Sequence, residues 1–211
     1  MQKIGEGYYY NVYEIQTNRV IKKRKNIFRS FYYIVVKSNK FKINGFKEFI
    51  SLHTNKNKIK DIYNKIIQNI KDISEIGNPY FINEFEYTQD KVTILKDILI
   101  KSDIETQKEI IEKYINSIKK SWKQGYSDIV FNFTINNGLD KNNTVILIDF
   151  NEIVFEKSEI AKRIQKQKWL IRYSYTQLSG ELKEYYKKRM SEEITIDQLE
   201  NLWKDVYSTL D

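Results

Sequence analysis

The spacing of apolar residues changes along this chain, and that change limits the folds open to it. Over the first hundred residues, short β-branched and aromatic runs dominate. Residues 3–15 and 18–24 predict a first hairpin, residues 31–36 (Phe-Tyr-Tyr-Ile-Val-Val) another strand, and residues 80–88 and 91–100 two more, with Gln89-Asp90 as their turn. One helical stripe interrupts them. Ile59, Ile62, Tyr63, Ile66, Ile67, Ile70 and Ile73 recur at the spacing of an amphipathic helix, which Gly77-Asn78-Pro79 stops. Beyond residue 100 the helical period prevails. Ile111, Ile115, Ile118 and Trp122 line one face of a helix over residues 105–123, which ends at Gly125. Ile160, Ile164, Ile171, Tyr175 and Leu178 form a later stripe, and Thr195 with Gln198 makes a capping box ahead of Leu199, Leu202, Trp203 and Val206. Between these lie a mixed stretch, 126–143, with a turn-rich Asn136-Asn137-Gly138, and a buried strand, 144–148, that delivers Asp149 at its end. Strands with one helix, then mostly helices, predict an α+β chain of two lobes, 1–98 and 99–211, dividing near residues 98–103.

Composition narrows the function classes. Hydrophobic residues make up 41% of the 211, enough to fill a core. No apolar run is long enough to span a bilayer. Met1-Gln2-Lys3-Ile4-Gly5 lacks the apolar centre of a signal peptide, so the expected location is the cytoplasm. Without cysteine there are no disulfides or thiolate metal sites, and His53 is the only histidine; beside Lys56 and Lys58 it reads as a surface residue. The net charge of +8 favours an anionic partner. The charge is uneven: no acidic residue occurs between Glu14 and Glu48, a stretch that holds Arg19, Lys22, Lys23, Arg24 and Lys25 among other basic residues.

The chain opens on Ile4-Gly5-Glu6-Gly7, followed by Val12 and then Val20-Ile21-Lys22. This spacing suits a strand–loop–strand that covers a nucleotide. Glycine lets the backbone approach phosphates with no Cβ in the way, the valine caps the base, and the lysine reaches the phosphates. Further on, Gly125-Tyr126-Ser127-Asp128-Ile129-Val130-Phe131-Asn132 sets an aspartate and an asparagine in one loop, and Ile146-Leu147-Ile148-Asp149-Phe150-Asn151 sets an aspartate after an apolar strand.

Taken in order, these segments resemble the protein-kinase-like fold, with a β-rich N-lobe and a short, mainly helical C-lobe. The chain looks most like compact bacterial members: the lipopolysaccharide-core sugar kinases and the short kinase-like family named for the PhoP regulatory network. The resemblance implies an ATP- and Mg²⁺-dependent phosphotransferase acting on a hydroxyl of a small-molecule, sugar or glycolipid acceptor. It implies that Gly5, Gly7, Val12 and Lys22 hold the nucleotide, with Leu95 and Asp97 in the segment leading to the adenine hinge. An acid of the helix over residues 59–73 would pair with Lys22; Asp61, Gln68, Asp72 and the earlier Glu48 compete for that role, and Asp61 is preferred. Asp149 would bind magnesium through hard carboxylate oxygens, with Asn132 supplying a second oxygen, and Asp128 would orient the acceptor hydroxyl and take its proton.

The chain departs from the family pattern in several places. Tyr10 replaces the third glycine of the loop, Ser127 stands where a histidine precedes the catalytic aspartate, and no glycine follows Asp149-Phe150. Asn132 comes one residue early, and the family spacing falls on Phe133. These departures leave open a pseudokinase, a nucleotide-binding regulatory module without turnover. A third class, nucleic-acid binding, rests on the basic and aromatic stretch from Lys22 to Lys47, but no RNP or helix-turn-helix pattern accompanies it.

Overall fold

The computed structural model describes residues 1–6, 10–26 and 58–205. Gly7, the expected strand over residues 31–36, Glu48, His53 and Val206 lie outside the described residues. The chain is mixed α+β and divides into two compact units, one formed by Met1–Lys65 with Asn78–Lys91, the other by Ile66–Gly77 with Val92–Asp211.

The first unit is built on an antiparallel sheet of five strands. They are β1 (Gln2–Glu6), β2 (Tyr10–Gln16), β3 (Arg19–Arg24), β4 (Tyr80–Asn83) and β5 (Glu86–Asp90), in the order β1-β2-β3-β5-β4. Tyr10, Val20, Ile21 and Tyr87 are buried, and the rings of Tyr10 and Tyr87 meet edge to face at 5.3 Å. Polar groups tie the strands together. Arg19 donates to Asp90 at 2.8 Å, to the Thr88 hydroxyl at 2.7 Å and to the Asn78 carbonyl at 3.1 Å. Lys23 pairs with Glu86 at 2.9 Å, so part of the basic run is neutralised within the sheet. The hairpin turn falls at residues 84–85, not at Gln89-Asp90. The side chain of Asn83 accepts from the Phe85 amide at 2.8 Å, a local bond that reverses the chain there, and Gln89 and Asp90 remain in the strand.

A helix, α1 (Lys58–Asn69), follows the expected isoleucine stripe, with Ile66 fully buried and Ile67 exposed. It stops earlier than the stripe suggests. Asp72 caps a separate 3₁₀ turn, Ile73–Ile76, by accepting from the Ser74 amide at 3.0 Å, and Gly77 closes that turn at φ 70°.

In the second unit, β6 (Thr93–Ile94) runs directly into α2 (Leu95–Leu99), so the strand expected over residues 91–100 is reduced to two residues and followed by a helix. Leu95 and Leu99, one helical turn apart on α2, are both buried in this unit's core. That burial also takes the segment from Val92 onward into the second unit, whereas the sequence places the division near residues 98–103. The long helix α3 (Ile104–Lys123) starts at Asp103, whose carboxylate accepts from the Thr106 amide at 2.8 Å, and it buries Ile111, Ile115, Ile118 and Trp122 as expected.

Short strands β7 (Ser127–Asp128), β8 (Asn137–Leu139), β9 (Val145–Leu147) and β10 (Ile153–Val154) follow. Helices α4 (Lys157–Gln165), α5 (Tyr173–Gln177), α6 (Gly180–Glu193) and α7 (Ile196–Leu202) complete the described chain. The Thr195 hydroxyl accepts from the Gln198 amide at 3.2 Å, as the capping box predicts. The stripe from Ile160 to Leu178 is not one helix. Gln167 turns the chain at φ 42°, and Ile171 is left 64% exposed in a 3₁₀ turn, Lys168–Ile171.

Asn137 and Gly138, expected in a turn, form the buried middle strand of a three-stranded sheet ordered β6-β8-β9. Glycine is required at 138 because a Cβ there would lie 2.3 Å from the Val92 side chain and 2.7 Å from the Thr93 carbonyl. Gly138→Ala is therefore expected to destabilise the protein by about 1–3 kcal/mol, the usual cost of overpacking, read as a lower urea midpoint.

Candidate functional site

The second unit brings two stretches of the sequence against each other. Gly125, at φ 75°, ends α3 and turns the chain into β7. Asp128 in β7 then pairs with Ile153 in β10. The Ile129 amide donates to the Glu152 carbonyl at 3.0 Å, and the Ile148 amide donates to the Asn136 carbonyl at 2.8 Å. These pairings hold residues 128–136 beside residues 148–153. Asp149 sits at the head of a 3₁₀ turn, Phe150–Glu152, and the Phe150 side chain is fully buried.

The loop after Asp128 is anchored from inside. Phe131 takes φ 52° and is fully buried, its ring 5.8 Å from Trp169. A bulky residue in the left-handed region persists only where its surroundings hold it. Phe133, the family-spaced position, is also fully buried, with its ring 4.8 Å from Tyr114 and 5.3 Å from Tyr186. Ser174 is the polar anchor. Its hydroxyl oxygen accepts from the Thr134 amide at 2.8 Å and the Thr134 hydroxyl at 2.9 Å, and its own proton goes to Asn132 Oδ1 at 2.6 Å.

Asp128 is 8% exposed. Its Oδ1 accepts from the Val130 amide at 2.7 Å, while Oδ2 is buried without a hydrogen-bond partner. Burial pushes its carboxyl up to about 7; the charge of Asp149 adds to the rise, and the Val130 amide and Arg172 oppose it. Glu152 is pushed up to about 9, first by burial and then by the charges of Asp149 and Asp128, against a hydrogen bond from the Asn136 side chain and the charge of Arg172. Three carboxyls and one guanidinium thus act on one another, Asp128 buried and the other three half-buried.

The residues expected from the sequence fall into two sets. Asp128, Asn132 and Asp149 come together in the second unit through the strand pairings of β7 and β10. Gly5, Val12 and Lys22 lie in the sheet of the first unit, where Val12 stands opposite both Gly5 and Lys22. Lys22 also pairs with Tyr87 across β3 and β5, and its ammonium lies 5.4 Å from the centre of that ring. Gly5 is not demanded by packing, since a Cβ there would meet Val12 only at an ordinary 3.8 Å.

Asp61, preferred as the partner of Lys22, makes no ion pair with it. It is exposed in the first turn of α1, where a carboxylate suits the helix dipole. Asp72 is used as a cap and Gln68 is exposed. Leu95 is fully buried in the second unit's core, and Asp97 is exposed on α2.

Sequence reasoning missed four residues of this cluster: Asn136, Glu152, Arg172 and Ser174. Asn136 carried a signal, because it directly precedes a strand, but the Asn136-Asn137-Gly138 run reads as a turn. Glu152, three residues after Asp149, returns to the same place only because a 3₁₀ turn intervenes.

Asn132 Oδ1 accepts from the Ser174 hydroxyl, which uses one of its two lone pairs. Among the described residues no group of three or more His, Asp or Glu forms a metal cage. Magnesium does not require one; it is commonly held by one or two carboxylates together with waters and the phosphates of a substrate. Asp149 meets that need as a hard oxygen donor. No protein-family model matches the chain, and no curated protein is similar to it.

Proposed function

We propose that the protein is an ATP- and Mg²⁺-dependent phosphotransferase of protein-kinase-like fold, acting on a hydroxyl of a small-molecule, sugar or glycolipid acceptor. The observation that carries this reading is the meeting of Asp128 and Asp149 through the pairings Asp128–Ile153 and Ile148–Asn136. Phosphoryl transfer asks for little covalent chemistry from a protein, and much positioning and charge compensation. A carboxylate beside a loop that is fixed by buried aromatics and Ser174 supplies positioning. The strand order of the first unit supports the reading too, since it sets Val12 and Lys22 on adjacent strands next to the glycine-bearing β1.

In this mechanism Asp128 receives the proton of the acceptor hydroxyl as its oxygen bonds to the γ-phosphorus of ATP and the bond from that phosphorus to the departing ADP breaks. A carboxyl raised toward neutral is a better proton acceptor than an ordinary aspartate, provided it is ionised when the acceptor binds. Arg172 favours the ionised form of Asp128. Lys22 compensates phosphate charge. A magnesium ion, when bound, would be held by Asp149 and supplies further charge neutralisation at the phosphates. The Asn136 side chain, bonded to Glu152, keeps that acid's carboxyl in place beside Asp149.

One observation favours the second reading, a nucleotide-binding regulatory module without turnover. The Ser174 hydroxyl occupies one lone pair of the Asn132 oxygen expected for a cation, which leaves that oxygen one fewer site for a ligand.

The test is a thermal-shift titration with ATP, with and without magnesium. Stabilisation by ATP that strengthens with magnesium is the expected result. In the same assay Lys22→Ala is expected to weaken ATP binding by about 1.5–3 kcal/mol, the value of a charge-assisted contact. Asp149→Asn keeps the shape of the side chain and is expected to abolish the magnesium effect. Undiminished ATP binding in Lys22→Ala together with an unchanged magnesium effect in Asp149→Asn would sink both nucleotide readings.

A further inference from the structure

Asn132 is fixed through its acceptors. Its backbone carbonyl accepts from the Asn136 amide at 3.0 Å and from the Ile135 amide at 3.4 Å. Its side-chain Oδ1 accepts from the Ser174 hydroxyl at 2.6 Å, and Ser174 is fully buried. Its backbone amide lies near enough to the Asp128 carboxylate to favour the charged form of that group.

Donor counting decides which end of the Asn132 carboxamide meets Ser174. The Ser174 hydroxyl has one proton and three neighbours: the Thr134 amide at 2.8 Å, the Thr134 hydroxyl at 2.9 Å and the Asn132 side chain. The Thr134 amide can only donate. The Thr134 hydroxyl is buried and has no other acceptor among the described residues, so it donates to Ser174 as well. The Ser174 proton is then left for Asn132, which must present its oxygen. A carboxamide turned the other way would leave the Thr134 proton buried without an acceptor, a costly arrangement.

The outer end of the side chain is therefore a donor. Asn132 is half-buried, no acceptor among the described residues takes the protons of Nδ2, and that atom is not closed off from solvent. The bonds Ile129–Glu152 and Ile148–Asn136 hold this loop beside the segment that carries Asp149.

We propose that Asn132 recognises the nucleotide through Nδ2, by donating to a phosphoryl oxygen, and that Ser174 is the positioning residue that keeps the carboxamide this way round. This role rests on the nucleotide reading above. The kinase-like resemblance gives Asn132 to the cation through its oxygen, whereas the order of donors gives it to the anion through its nitrogen. A phosphoryl oxygen is charged and only accepts, so it suits an NH₂ group. A neutral donor also suits the place. A lysine or arginine among Asp128, Asp149 and Glu152 would pair with those acids, while a carboxamide keeps its protons for a ligand.

The test is ¹⁵N NMR of the Asn132 side chain in the full chain, its signal traced from the backbone. The protein is titrated with ATP and Mg²⁺, with adenosine and Mg²⁺, and with Mg²⁺ alone. The expected result is that the Nδ2 protons move downfield and exchange more slowly with ATP, and stay in place with adenosine or the metal alone. Asn132→Asp still offers Ser174 an oxygen but replaces the donor by a second oxygen. It is expected to weaken binding of ATP with Mg²⁺ by roughly 10- to 100-fold, the worth of a hydrogen bond to a charged group. Nδ2 protons that stay unmoved by ATP that stabilises the protein would overturn the role of Asn132 and leave the nucleotide reading standing. So would an Asn132→Asp variant that binds ATP with Mg²⁺ as tightly as the parent or more tightly, the mark of a cation ligand. A parent that ATP does not stabilise would remove both. The parent titration decides the matter even if the variant does not fold.

Discussion

Asp128→Asn is expected to lower ATP-dependent turnover by roughly 10²- to 10⁴-fold, the usual contribution of a positioned general base, while leaving ATP binding intact. The substitution is nearly isosteric. An amide oxygen at the same place can still accept from the Val130 amide, so the loop after β7 keeps its anchor. What disappears is a side chain able to take a proton. The assay is turnover of ATP by parent and variant, alone and then with candidate sugars, core oligosaccharides and proteins as acceptors. Strong parent turnover that survives the substitution would remove Asp128 from the mechanism. Tight ATP binding with no turnover in the parent across these acceptors would favour the regulatory module.

Stability should fall as pH rises from about 4 to about 9, and the Asp128–Glu152 pair should be the reason. Both carboxyls have folded pKa values raised above their unfolded ones, chiefly by burial, so the folded state binds their protons more tightly. Their contribution is at its best below the unfolded pKa, declines as pH climbs, and levels off once both have ionised. A tenfold change in a group's proton affinity corresponds to about 1.4 kcal/mol, which puts the combined effect at several kcal/mol. Urea unfolding at about pH 5 and about pH 9 measures it. The double variant Asp128→Asn, Glu152→Gln is expected to flatten the dependence and to be more stable than the parent at the alkaline end. A parent slope that the double variant fully retains would show that the buried charge lies elsewhere. Glu112 acts in the other direction. Its hydrogen bond from Arg189 lowers its carboxyl, so its contribution is lost as pH falls below the ordinary carboxylate range, outside the window of the pair.

Several features were legible in the sequence because their causes are local. The isoleucine stripe of α1, the Ile111–Trp122 face of α3 and the Thr195–Gln198 cap depend on residues three or four apart, within reach of one helical turn. The strand that delivers Asp149 was legible for the same reason, as a short apolar run ending in a turn residue. Local signals also misled. Asn136-Asn137-Gly138 reads as a turn, yet Gly138 is a glycine because β6 lies against it in the sheet. Residues 91–100 read as a strand, yet Leu95 and Leu99 share one buried helical face.

The sequence by itself determined the α+β order of elements, since periodicity and turn chemistry act between near neighbours; it singled out Asp128 and Asp149 through the resemblance of their segments to the kinase-like fold. Only the tertiary structure decided how those positions are used. Ser174, forty-two residues beyond Asn132, donates to the oxygen that the resemblance assigned to a cation. Glu152 and Asn136 join Asp128 and Asp149 because β7 pairs with β10 and Ile148 bonds to Asn136. The raised carboxyls follow from burial and from one another's charge, which depend on three-dimensional neighbours rather than on sequence spacing.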